Sequence, residues 1–171
     1  MKQKITLTHE IHIETPQVIQ EQTGEPVMKQ DANGTKRWRL NGKLHRIDGP
    51  AIEYFDGHNS WFFNGELHRV DGPAMEYVDS SKIWYLNGVR HRVDGPAEEL
   101  ADGDKFWYLN GELHRVNGPA IERADGHKSW YLNDKLHRVN GPAIEYVDGS
   151  KRWFLNGKEY TETEFFKDEL P

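Results

Sequence analysis

Apolar residues in this chain fall in short alternating runs that return every 23 residues. Each run starts on a tryptophan, as in Trp84-Tyr85-Leu86, and is closed by Asn-Gly, except at Asn133-Asp134. It mostly resumes as x-Leu-His-Arg, passes through x-Asp-Gly-Pro or x-Asn-Gly-Pro, and continues as Ala-x-Glu-x before an Asp-Gly pair, except at Asp79-Ser80. Alternating runs bounded by such dipeptides predict strands joined by tight turns. A fixed period of this length predicts a repeat architecture. Trp38, Trp61, Trp84, Trp107, Trp130 and Trp153 mark the copies, and His45, His68, His91, His114 and His137 keep the same step.

Both dipeptides tolerate the positive φ angles of two-residue hairpin turns. A turn at Asn64-Gly65 pairs Phe62 with Leu67 and Trp61 with His68. Asp56-Gly57 treated the same way pairs Trp61 with Ile52 and Ser60 with Glu53. The third junction, Asp71-Gly72-Pro73, reads as a bulge in one long strand, because a proline cannot donate to an interior ladder. Two strands per unit follow. Trp61, Ile52 and His68 then share the face expected to form the core.

The regular array covers residues 35–149 as five 23-residue repeats. Residues 1–34 read as an N-terminal β cap with a degenerate half-repeat. Ile5, Leu7, Ile11 and Ile13 alternate there, and Gly24 to Gly34 echoes Gly49 to Gly57. Residues 150–171 read as a partial sixth repeat and a C-terminal helical cap. Thr161-Glu-Thr-Glu164 is a capping box that predicts a helix over about 162–169. The expected fold is all-β, an elongated antiparallel β-hairpin array of about 50–60 Å by strand spacing. A parallel β-solenoid is the alternative.

Composition narrows the function classes. Only 36% of the 171 residues are hydrophobic, which suits a thin array that buries surface between neighbouring units. The net charge of −6, with both signs interleaved, gives no basic stripe for nucleic acid. With no cysteine there is no disulfide and no thiolate metal motif. No apolar run reaches the length of a membrane span, and the N-terminus has no signal-peptide core. A cytoplasmic protein is expected, with no membrane partner.

The repeated His-Arg pair is the most conspicuous candidate chemistry. Arg69, Arg92, Arg115 and Arg138 form a column that an anionic nucleotide would fit. Glu53, Glu76, Glu99, Glu122 and Glu145 recur as faithfully, so self-satisfied ion pairs are the favoured reading, with Arg69 reaching Glu53. The tryptophans and the repeated histidines are read as structural. Successive histidines lie about 10 Å apart at two strands per unit, too far to share a metal. His9, His12, His58 and His127 have no ligand spacing. Neither a metal nor another cofactor is expected. An enzyme is not expected either, since catalytic sites single out one residue from its surroundings. Tyr85, Tyr108 and Tyr131, flanked by lysines, are the candidate protein-docking column. The third unit is irregular, with Val89-Arg90 and Glu98-Glu99-Leu100.

The repeat Asn-Gly-Lys-Leu-His-Arg-x-Asp-Gly-Pro-Ala-x-Glu-Tyr-x-Asp-Gly resembles that of proteins from tailed bacteriophages and large DNA viruses. It is similar to a variant of the MORN repeat over about residues 35–160, with His-Arg-x-Asp-Gly-Pro where MORN repeats carry His-Gly-x-Gly. The resemblance implies a single-layer antiparallel array that binds proteins. It also implies a small accessory protein acting in an infected bacterium, where such proteins neutralise host factors, including antiviral defence. A nucleotide sponge and a structural or scaffold protein are the rival expectations.

Overall fold

The computed structural model describes residues 24–167. They form an open, fourteen-stranded antiparallel sheet whose order follows the chain, from Val27–Gln30 at one end to Lys158–Tyr160 at the other. Each unit gives it two strands, such as Ile52–Glu53 with Asn59–Ser60, then Met75–Glu76 with Lys82–Ile83. All pairings are antiparallel, which removes the parallel solenoid.

Asn-Gly makes the turn expected of it. Phe62–Phe63 pairs with Glu66–Leu67, Phe62 facing Leu67, and Asn64 and Gly65 take φ of 54° and 92°. The same hairpin recurs at Tyr85–Leu86 with Val89–Arg90, and at Tyr108–Leu109 with Glu112–Leu113. Neighbouring hairpins are stitched by backbone bonds, Arg69 N–H to Tyr85 O at 3.2 Å and Gly88 N–H to Leu67 O at 2.9 Å. Asp134 stands where the other turns have glycine and still takes φ of 58°. Its carboxylate accepts from Leu113 N–H at 2.7 Å, which helps to offset that strain.

The Asp-Gly turn departs from expectation by one residue. Tyr54 N–H donates to His58 O, so the loop holds Phe55, Asp56 and Gly57. Gly57 alone is left-handed, at φ 95°, which is the three-residue hairpin with a glycine bulge. The register therefore places Ile52 opposite Ser60 and Glu53 opposite Asn59, not Trp61 and Ser60. Ser80 fills the left-handed position in one unit, at φ 74°. Ser80→Gly should raise stability by about 0.5–1 kcal/mol in chemical denaturation, since the side chain is exposed and a non-glycine residue is strained there.

The Asp-Gly-Pro junction is an excursion. Trp61 N–H donates to Ala74 O at 2.8 Å, and His68 N–H donates to Trp61 O at 3.0 Å. Residues 70–73 thus leave the ladder before the chain returns to it at Ala74, with Pro73 free of any donor duty. The core differs from the expected tryptophan face. Ala51, Ala74, Ala97, Ala120 and Ala143 are each 0% exposed, while every tryptophan is only half-buried. A single layer of sheet has no second layer to enclose an indole, so the small alanine is sealed and the ring keeps an edge in water.

At the C-terminal end the helix Glu162–Phe165 is shorter than the expected span, which runs past the described residues. Its capping box is present, Thr161 accepting from Glu164 N and Glu164 accepting from Thr161 N, and Phe165 is buried. The expected strand at residues 5–13 lies outside the described residues.

Candidate functional site

The five repeated arginines are each held by partners within their own unit. Each guanidinium lies over the indole of its own unit at 3.9–4.1 Å, from Arg46 on Trp38 to Arg138 on Trp130. On its other side lies the glycine of Gly-Pro, where a Cβ would come within 2.9–3.1 Å of the arginine Cζ. A side chain there would push the guanidinium off its place over the indole. Each arginine also donates to the following proline carbonyl at 3.0–3.2 Å. Its carboxylate partner is the glutamate seven residues on, Arg69 with Glu76 and Arg92 with Glu99, at 2.6–3.0 Å across the five units. Arg69 does not reach Glu53, which is taken by Arg46 and Lys36. The register shift and the excursion bring the arginine back over its own unit.

Lysines stand across from the same glutamates in the sheet, and Lys36 pairs with Glu53 at 3.1 Å. Lys82 faces Glu76 on one side and Glu99 on the other, and Lys105 faces Glu99 and Glu122. Opposite charges alternate across the sheet, an arrangement that contributes a few tenths of a kcal/mol per pair. The histidines do not stack on tryptophan. Backbone N–H groups of Asn64, Asn87, Asn110 and Asn156 donate to Nδ1 of His45, His68, His91 and His137 at 3.1–3.2 Å. Each of these rings therefore ties its unit to the next turn, and Phe63 packs between His45 and His68.

Tyr85, Tyr108 and Tyr131 are half-buried, and burial raises the phenols of Tyr108 and Tyr131 above their ordinary value. Their neighbourhood contains the irregular residues of the third unit. Arg90 stands where other units have Leu44, Leu67, Leu113 and Leu136, and Glu98 where they have Ile52, Met75, Ile121 and Ile144. The two exceptions meet: Arg90 Nε lies 3.2 Å from Glu98 Oε2, with the side chains 39% and 15% exposed. Glu98 sits between Ile83 and Phe106 on adjacent strands, and Arg90 lies over Tyr108 at 5.2 Å. Burial works against the charge on Arg90, and Glu98 with the nearby phenols outweighs it.

A shallow depression of about 770 Å³ opens at the turn tips beside Asp102, Asp104, Arg123, Asp125, His127 and Tyr146. Its carboxylates are engaged locally. Asp102 accepts from Asp104 N–H, Asp125 from His127 N–H, and Asp104 from Ala124 N–H and Arg123. Among the described residues there is no group of three or more His, Asp or Glu side chains arranged to hold a metal. No helix among them is long and apolar enough to cross a membrane. No family model matches the chain, and no curated protein matches it.

One surface feature escaped the sequence reading. The residue after each His-Arg is aliphatic and projects from the excursion: Ile47, Val70, Val93, Val116 and Val139 are 72–84% exposed. The signal was available, since a junction read as a bulge outside the ladder leaves its first residue uncovered. Five β-branched residues in a row on solvated loops form a ridge of apolar knobs. It is the most regular exposed apolar feature of the described residues.

The ion pairs make stability depend on acid. Burial pushes Glu53 and Asp104 upward, but Lys36 and Arg46 on the first, and Ala124 N–H and Arg123 on the second, hold both below their ordinary values of 4.5 and 3.8. The Arg46, Arg69 and Arg92 guanidinium groups likewise hold Asp48, Asp71 and Asp94 below 3.8. Groups lowered on folding contribute stability that is complete above their unfolded values and lost as pH falls through the folded ones. Thermal midpoints should therefore be lower at about pH 3 than at about pH 6.

Proposed function

We propose that this chain is a non-enzymatic binding protein whose ligand is another protein. On its resemblance to the phage repeat group, the partner is a host factor of the infected bacterium, a component of antiviral defence being the leading class. The observation that carries this reading is the state of the arginine column. Every guanidinium is stacked on tryptophan and bonded to a proline carbonyl and a glutamate within its own unit. A nucleotide sponge would need those cations facing solvent, away from glutamate. The remaining regular exposed feature is the aliphatic ridge, and a run of exposed apolar side chains is the kind of surface that a protein partner covers.

The test is affinity capture of the tagged chain from expressing bacterial cells, with mass spectrometry of both retained proteins and retained small molecules. A specific host protein, lost when Val70, Val93 and Val116 are changed together to Ser, supports the reading. A nucleotide co-purifying in stoichiometric amount, with no protein retained, would replace it by the sponge.

A further inference from the structure

The five excursion loops share one frame but not one charge. In the first three, the arginine Nε–H donates to the aspartate two residues on: Arg46 to Asp48 at 3.0 Å, Arg69 to Asp71 at 2.9 Å, Arg92 to Asp94 at 2.9 Å. In the last two that position is Asn117 and Asn140. The frame is otherwise kept. Arg115 and Arg138 still lie 3.9 Å over Trp107 and Trp130, and still bond to Pro119, Pro142, Glu122 and Glu145. Among the described residues no carboxylate meets their Nε–H. Asn117 and Asn140 are exposed, as are the aliphatic neighbours Val116 and Val139 at 74% and 72%.

The loops with aspartate show what the loops with asparagine lack. A carboxylate oxygen at about 2.9 Å from Nε fits this guanidinium edge, because the chain itself supplies one three times. We propose that the ridge formed by the loops of Arg115 and Arg138 takes carboxylates of an acidic protein segment, one per loop. Val116 and Val139 pack against the aliphatic parts of the same segment. This inference rests on the protein-binding reading and gives it a face and a partner chemistry.

Spacing restricts the segment further. Successive loops are separated by two strands, about 9.6 Å. An extended polyproline II segment presents every third residue on the same side, about 9.3 Å apart. Carboxylates at every third position of such a segment therefore meet successive guanidinium groups without distortion.

A dye-labelled acetyl-Glu-Pro-Pro-Glu-amide, one glutamate for each of the two loops, titrated by fluorescence anisotropy at low ionic strength, tests this directly. The wild-type chain should bind it, and the Gln-Pro-Pro analogue should not bind. Asn117→Asp with Asn140→Asp restores the residue that the first three loops carry, so the fold is preserved while each vacancy is filled from within. That double variant should bind at least about tenfold more weakly. Equal binding by wild type and double variant overturns the proposal, and so does no binding by wild type. The capture experiment separates the two readings. A host protein retained equally by both chains would sink the carboxylate ridge and leave protein binding standing. Peptide binding abolished by the double variant, with no protein partner in cells, would do the reverse.

Discussion

Trp107→Ala should lower the unfolding free energy by about 3 kcal/mol, near the low end for loss of a large aromatic because the indole is only half-buried. The ring carries the Arg115 guanidinium at 3.9 Å. Removing it leaves Arg115 with glutamate and carbonyl partners but no floor, and the loop from Val116 to Pro119 loses the post it is wrapped on. The backbone bonds of residue 107 to Ala120 and His114 survive the change, so the loss reports packing. Position matters too. In an array stabilised by nearest neighbours, an interior unit supports two interfaces and an end unit one. Urea denaturation should therefore show a lower midpoint and a shallower transition for Trp107→Ala than for Trp153→Ala, where no arginine rests on the ring.

The second large effect belongs to the Arg90–Glu98 pair. Arg90→Leu alone leaves the Glu98 carboxylate, 15% exposed, wedged between Ile83 and Phe106 with no counter-charge. Breaking a buried pair from one side is strongly destabilising, and about 2–3 kcal/mol is expected for this partly buried one. Glu98→Ile alone should cost less, because Arg90 is 39% exposed and can turn outward. The double change Arg90→Leu with Glu98→Ile installs the residues that other units carry in both columns. It should come within about 1 kcal/mol of wild type or exceed it. A double-mutant cycle by denaturation then gives a coupling of opposite sign to the single losses. Additive losses would show that the two columns do not meet in the folded protein.

Much of the architecture was legible because one dipeptide was unambiguous. Asn-Gly takes positive φ at both residues, which fixes a two-residue turn and, with it, the pairing of Phe62 with Leu67. Asp-Gly was not so decisive, since it serves equally in a three-residue loop where only the glycine is left-handed. Reading it as the shorter turn moved Trp61 opposite Ile52 and led Arg69 to the wrong glutamate. The substitution of Ser80 in the same column hinted at the longer loop, because only one position there demands a left-handed residue. That the arginines would be satisfied internally was readable from matched columns. Which glutamate each one took depended on the path of residues 69–73, and no local signal specifies how far an excursion carries the chain. The exposed ridge was missed because aliphatic residues in a strand-rich sequence read as core, although the proline beside them already placed the loop outside the ladder.

The proposed function has the repeated arginines hold the array together and take no nucleotide. Arg92→Ala puts that to the most direct test. The variant loses stacking on Trp84 and leaves Glu99 without its partner, so its unfolding free energy should fall by about 2 kcal/mol. Isothermal titration of the wild-type chain with a panel of linear and cyclic nucleotides should give no heat of binding. A nucleotide that binds the wild type, with binding abolished by Arg92→Ala while the denaturation midpoint stays unchanged, would contradict the account.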